Sequence, residues 1–180
     1  LSDGSTVVAE RVNFIPQPQS AMTVIDQHTG YVKAIIGGRG EKTASLTLNR
    51  ATDSTRQPGS TFKIVSTYAP ALNEKGMTLA TTYEDEPITY ENGAPVNNAS
   101  GSFNGTTTIR NSVNTVAVQC FEDVTPELGL KYLDNFGFTT LAHGTEADTD
   151  ANGNVFTDAN LRTALGGLTY GVTNVELCAA

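Results

Sequence analysis

The sequence predicts an α+β domain, an antiparallel sheet flanked by helices, with part of that sheet missing from this chain. Three observations carry this expectation. A hairpin pattern occupies residues 21–36, apolar residues recur at helical spacing over three later stretches, and no further strand pattern gives the hairpin a sheet to join. A lone hairpin is marginal in water, so the sheet is expected to be incomplete here.

The elements follow in order. Residues 1–19 are polar and interrupted by Pro16 and Pro18, as in a linker or approach segment, and residues 20–180 form one incomplete domain. Ala21–Asp26 is rich in β-formers, Gln27-His28-Thr29-Gly30 supplies a turn, Tyr31–Ile36 returns, and Gly37-Gly38 ends the second strand. Residues 40–58 are polar and loop-like. A helix is expected from Ser60 to about Lys75, with Pro70 kinking it and Gly76 as its stop. Residues 78–105, with Pro87, Pro95 and several Asn and Gly, form a long irregular loop of the kind that is usually functional or mobile. From Thr107 to about Glu122, Ile109, Val113, Val116, Ala117 and Cys120 make the apolar stripe of a helix. Thr125-Pro126-Glu127 is a strong helix start, and that helix should end near Gly137. Residues 144–158 read as an acidic surface loop. Beyond Asn160 a small-residue apolar run leads into a helix that continues to the end.

Composition limits the function classes. The chain has 180 residues, enough for one domain with a core, and its 38% apolar and 17% charged content suits a globular protein. A net charge of −8 argues against a nucleic-acid partner, which would draw on clustered Lys and Arg. No run of about 18 apolar residues spans a membrane. The start, Leu1-Ser2-Asp3-Gly4-Ser5, has neither the basic nor the apolar part of a signal peptide, so the targeting segment of an exported parent would lie elsewhere. Cys120, Cys178, His28 and His143 have no metal-ligand spacing. Cys120, within an apolar stripe, is best placed as a buried free thiol. Residues Asp148–Val155 carry oxygen ligands at alternate positions with Gly153 at the sixth, as in a calcium loop, but Ala159 stands at the twelfth where a glutamate belongs. A solvated acidic loop is the better account, and no metal or cofactor is expected.

The chemistry concentrates in Arg56-Gln57-Pro58-Gly59-Ser60-Thr61-Phe62-Lys63-Ile64. A hydroxyl and an amine stand three residues apart just after a Pro-Gly break, where a helix can begin, so both share a face. Serine becomes a nucleophile when a base takes its proton, and a lysine neutralised by burial is such a base. The free N–H groups at a helix start would face the same centre. Ser-x-x-Lys also occurs as an exposed serine near a solvated lysine, and that alternative stays open for the pair alone. A second pair, Ser112-Val113-Asn114, offers a hydroxyl for proton relay and a carboxamide for a substrate amide, although Ser and Asn also serve as local caps.

Ser-x-x-Lys followed about fifty residues later by Ser-x-Asn is the order found in penicillin-binding proteins and β-lactamases. The chain resembles the transpeptidase domain of class A penicillin-binding proteins, over roughly Ser20 to Ala180. The residues that carry the resemblance are Arg56–Lys63, Asn49-Arg50-Ala51, Ser112-Val113-Asn114-Thr115-Val116-Ala117, the run Ala164–Thr173, and the hairpin from Met22 to Gly38. The resemblance implies a β-lactamase/transpeptidase-like fold. It implies that Ser60 attacks the D-Ala-D-Ala carbonyl of a peptidoglycan stem peptide, with Lys63 as its general base. Ser112 would pass a proton to the leaving amine, Asn114 would hold the substrate backbone, and the Ser60 N–H would form half of an oxyanion hole. An amine from a neighbouring strand would then resolve the acyl-enzyme, and β-lactam antibiotics would acylate Ser60 as mimics. The family places this reaction at the outer face of the bacterial cytoplasmic membrane, with the anchor, and in class A a glycosyltransferase domain, outside this chain.

The family's third motif, Lys-Thr/Ser-Gly, is absent. Lys42-Thr43-Ala44 is the nearest string, and it precedes Ser60 and lacks the glycine. The remaining strands would therefore come from a missing part or a companion chain. Two other functions stay open: a catalytically incomplete penicillin-recognition fragment, and a β-lactamase-type hydrolase. The hydrolase would need a deacylating base, and the acids Glu84, Asp85 and Glu86 lie in a loop that the sequence does not place.

Overall fold

The computed structural model describes residues 18–42, 44–97 and 108–180. Most of the 1–19 segment, Thr43, the end of the long loop at 98–105 and the expected helix start at Thr107 lie outside the described residues.

The hairpin forms as the sequence indicates. Strands β1 (Met22–Ile25) and β2 (Val32–Ile36) pair antiparallel, with Met22 opposite Ile36 and a bulge between Val24 and Ile25. Its turn closes through Gly30, at φ +70, whose N–H donates to Asp26 O at 2.8 Å. The hairpin leans on the last helix, where Thr23 Oγ1 donates to Asn174 Oδ1 at 2.7 Å. On the face opposite Thr23, the apolar side chains Met22, Val24, Val32 and Ile36 remain 42–51% exposed, which leaves this two-stranded ribbon with an open apolar face.

A second sheet is invisible in the sequence. Within the loop-like 40–58 stretch, β3 (Thr55–Arg56) pairs antiparallel with β4 (Val172–Thr173). The pairing continues beyond the strands by a side chain. Gln57 Nε2 donates to Leu168 O at 2.7 Å while its Oε1 accepts from Leu168 N at 2.8 Å, as a peptide group would.

The helix expected over 60–75 is present, but in three different windings. Gly59–Phe62 is a 3₁₀ turn, Ile64–Tyr68 a π turn, and α1 (Ala69–Glu74) an α-helix. The change at Ala69 explains how Pro70 is accommodated: proline lies in the first turn of α1, where its missing N–H is least needed. Gly76, at φ +63, follows the end of α1.

The expected helix to Glu122 is broken. Helix α2 (Thr108–Asn111) stops, Ser112 takes φ +52, Val113 is extended, and α3 (Asn114–Val124) begins afresh. Helix α3 is buried along most of its length and forms the centre of one apolar cluster, with Val118, Phe121 and Val124 against Ala71, Leu161 and Ala164. Helix α4 (Pro126–Asn135) starts as read from sequence: the Thr125 hydroxyl accepts from Leu128 N, Pro126 leads, Glu127 sits in the first turn, and Gly137 follows the end at φ +89. Gly129 lets it pack closely, since a Cβ there would meet the Phe121 ring at 2.2 Å. Leu130 and Leu133 join Phe62, Val65, Phe138 and Leu168 in the second cluster.

Residues 144–158 are only partly a surface loop. Asp158 is fully buried and its carboxylate accepts from Ala142 N, Thr169 N and the Thr169 hydroxyl at 2.7–2.9 Å, which ties three segments together. Asp148 caps its own turn, and the Asp150 carboxylate accepts from Asn152 and Asn154. After a 3₁₀ turn (Leu161–Leu165) and β4, α5 (Asn174–Ala179) opens with a Thr173–Glu176 capping box. Among the described residues no helix is long and apolar enough to cross a membrane. Cys120 is buried and Cys178 exposed, both as free thiols.

Candidate active site

Ser60 lies between two anchors. Before it, β3 and the Gln57–Leu168 pair fix the chain against residues 168–173. After it, Phe62 is fully buried and meets Phe138 edge-to-face, with ring centroids 5.0 Å apart. The turn between them is tight. Gly59 sits at φ +59 directly against Gly166 at φ +72, where a Cβ would lie 2.4 Å from Gly59 O. With Phe62 drawn inward, Ser60 and Thr61 face solvent while Lys63 goes under the surface, at 2% exposure.

The winding matters for the pair. A 3₁₀ turn has three residues per turn, so positions i and i+3 eclipse. Ser60 and Lys63 are joined across this turn, with Lys63 N donating to Ser60 O. The sequence argument reached the shared face by α-helical spacing; the tighter turn aligns the two residues more closely.

Lys63 Nζ is held by the other motif. It donates to Ser112 O at 2.7 Å, Asn114 Oδ1 at 2.6 Å and Ser112 Oγ at 3.0 Å. Two motif residues thus converge on the amine of a third, and the break between α2 and α3 makes this geometry. The left-handed backbone of Ser112, uncommon and strained for serine, turns its carbonyl and hydroxyl to the same partner. Asn114, the first residue of α3, is oriented from its far side, where its Nδ2 donates to Asn97 O at 3.2 Å.

Desolvation pulls the Lys63 amine down to about 8. Its three partners are neutral oxygens, with no carboxylate among them to restore the charged form. Three acceptors suit the three hydrogens of an ammonium. When the amine is neutral it has two, and one contact must reverse. Ser112 O and Asn114 Oδ1 can only accept, so the Ser112 hydroxyl is the partner that can turn donor. The site therefore sets one hydroxyl, that of Ser112, directly on an amine whose burial favours its neutral form, one tight turn after the exposed Ser60.

Sequence reasoning assigned no role to Gln57, Gly166 or Asn97. The glutamine and glycine stood within quoted motifs, but their function is backbone support and becomes visible only in three dimensions. Of the loop acids, Asp85 is buried and accepts a hydrogen bond from Thr115 Oγ1.

Comparison with known proteins places the chain in a family. The family model described as "Penicillin binding protein transpeptidase domain" matches residues 20–180, and the chain belongs to that family. Among individual proteins it is similar to penicillin-binding protein 1A of Clostridium tetani, 36% identical over 136 residues covering 69% of this chain and 17% of that protein. It is likewise similar to penicillin-binding protein 1A of Neisseria gonorrhoeae, 35% identical over 133 residues, 68% of this chain and 16% of the other. The crystal structure of penicillin-binding protein 1A from Haemophilus influenzae superposes with a TM-score of 0.67 at 26% identity, over 92% of this chain and 23% of that one. The chain thus spans about a sixth of the length of the curated relatives it matches, 16–17% in the two cases given.

Proposed function

We propose that Ser60, Lys63, Ser112 and Asn114 form the acylation centre of a peptidoglycan D,D-transpeptidase. The observation that carries this is the Lys63 amine, buried after an exposed serine and held by the Ser-x-Asn motif. Neutral Lys63 takes the Ser60 proton as Oγ attacks the penultimate D-Ala carbonyl, and the Ser60 N–H donates to the oxyanion. Collapse breaks the peptide bond, and the terminal D-Ala amine leaves with a proton passed from Lys63 through the Ser112 hydroxyl. Asn114 is the substrate's backbone ligand. The amine of a neighbouring stem peptide then attacks the acyl-serine carbonyl and gives a proton to Lys63; the ester bond to Ser60 Oγ breaks, Oγ takes up that proton, and the new amide is the cross-link. A β-lactam enters the first half of this sequence and stays on Ser60. Stem peptides and β-lactams are the proposed partners, with a companion segment completing the cleft, and the outer face of the cytoplasmic membrane is the proposed location.

The experiment is labelling of the full-length protein with a fluorescent penicillin, followed by intact mass and peptide mapping. One stable adduct is expected at Ser60, lost in Ser60→Ala. A full-length protein that forms no Ser60 adduct would sink the proposal, and rapid release of hydrolysed drug would favour the hydrolase instead.

The pH dependence has a definite sign. The base is the neutral amine, so acylation should rise with pH to a midpoint near the Lys63 value of about 8. Well below it the rate should fall about tenfold per pH unit. Stopped-flow acylation between about pH 6 and 9 measures this, and a flat profile contradicts the assignment. Because the folded state holds this amine below its ordinary 10.5, the same group adds stability as pH rises from about 8 towards 10.5.

A further inference from the structure

Three consecutive residues of the long loop meet α3 at one-turn intervals. Tyr83 OH donates to Asp123 Oδ2 at 2.7 Å, Gln119 Nε2 donates to Glu84 O at 2.9 Å, and Thr115 Oγ1 donates to Asp85 Oδ1. Positions 115, 119 and 123 are spaced four apart and share one face of the helix. The loop therefore runs antiparallel to α3 as a strap with three rungs. Further along the same loop a fourth contact lies in the site: Asn97 O accepts from Asn114 Nδ2, while the same carboxamide's Oδ1 accepts from Lys63.

The rungs are unequal. Tyr83–Asp123 lies at the far end of α3, at the surface. Asp85–Thr115 lies at the first turn, with Thr115 fully buried and Asp85 at 8% exposure. Helix α3 has no side-chain cap and no acid of its own in that turn. A carboxylate there complements the positive end of the helix and fixes where the helix begins. Ser112 and Asn114 flank that beginning, and their contacts with Lys63 are 2.6–3.0 Å, a range that a small axial shift of α3 would disrupt.

We propose that Asp85 is a positioning residue for Ser60 acylation: through Thr115 it sets the first turn of α3, and with it Ser112 and Asn114, against Lys63. This rests on the acyl-transfer function proposed above.

The test uses the full-length protein, with fluorescent-penicillin acylation rates measured well below the melting temperature of each variant. Thr115→Val, Asp85→Asn and Asp85→Ala should acylate about tenfold or more slowly, because a misplacement of order 1 Å in a reacting array is costly. Thr115→Ser keeps the hydroxyl and should restore the rate to within about twofold, while Tyr83→Phe, which removes the distant rung, should lower Tm yet stay within about twofold in rate. If Asp85→Ala does not fold, Thr115→Val against Thr115→Ser decides the matter. A full-length protein unlabelled at Ser60 overturns the acyl-transfer function and this inference with it. A protein labelled at Ser60 whose Thr115→Val and Asp85→Asn variants react at the parental rate overturns this inference alone, as does equal slowing by Tyr83→Phe.

Discussion

Lys63→Ala should slow Ser60 acylation by about 10²–10⁴-fold, the range over which a positioned acid–base group contributes. Two losses combine. Ser60 no longer has an amine to receive its proton, and Ser112 O and Asn114 Oδ1 no longer have the donor that gathers them. Alanine alone does not separate base catalysis from charge or scaffolding. Lys63→Arg does, because guanidinium keeps its charge and donors but does not deprotonate in a protein. A proton acceptor cannot be replaced that way, so Lys63→Arg should fall with Lys63→Ala. Acylation of Lys63→Arg within about tenfold of the parent would show that the amine acts as a charge rather than as a base.

Gly166→Ala should be among the most damaging glycine-to-alanine changes at the described residues. Residue 166 has φ +72, where an L-residue pays roughly 1–2 kcal/mol. Separately, the new Cβ would lie 2.4 Å from Gly59 O and 2.6 Å from Gly59 N, and backbone cannot rotate away as a side chain can. A total loss of about 3 kcal/mol or more is expected, in the range reserved for strain and overpacking. The relief must come from moving Gly59, which directly precedes Ser60, so acylation should drop about 100-fold even where the protein remains folded. Gly153→Ala is the control: φ is +82 there, but nothing lies within 4 Å of the Cβ. It should cost only the conformational part, about 1–2 kcal/mol, and leave the acylation rate unchanged. Thermal unfolding and acylation on both variants check this, and equal effects would contradict the close Gly59–Gly166 contact.

Much of the fold was legible where its cause is local. The hairpin carried a β-rich run on each side of a turn, and α4 carried threonine, proline and acid in the order its first turn uses. The four residues now placed in or beside the candidate site were legible as motifs, because two hydroxyls, an amine and a carboxamide at fixed spacing have chemical meaning before any fold is known. The rest depends on contacts across distance. Strands β3 and β4 are two residues each and find one another from opposite ends of the domain, so neither shows a period. Asp158 stood among acids in a polar stretch, and its burial follows from donors on Ala142 and Thr169. The break at Ser112 left an apolar stripe intact on both sides, and nothing in a serine announces a left-handed backbone.

That backbone also decides which hydroxyl can stand at position 112. At φ +52, glycine, asparagine and aspartate are the comfortable occupants, and a β-branched residue is a genuine outlier. Threonine would carry the same hydroxyl to the same amine, yet its second γ-substituent is what the left-handed region resists. Serine is the compromise: strained there, but unbranched and able both to accept from Lys63 and to donate to it. The choice between two chemically equivalent alcohols is made by the shape of the main chain, so this position should admit far fewer residues than its exposure to solvent would suggest.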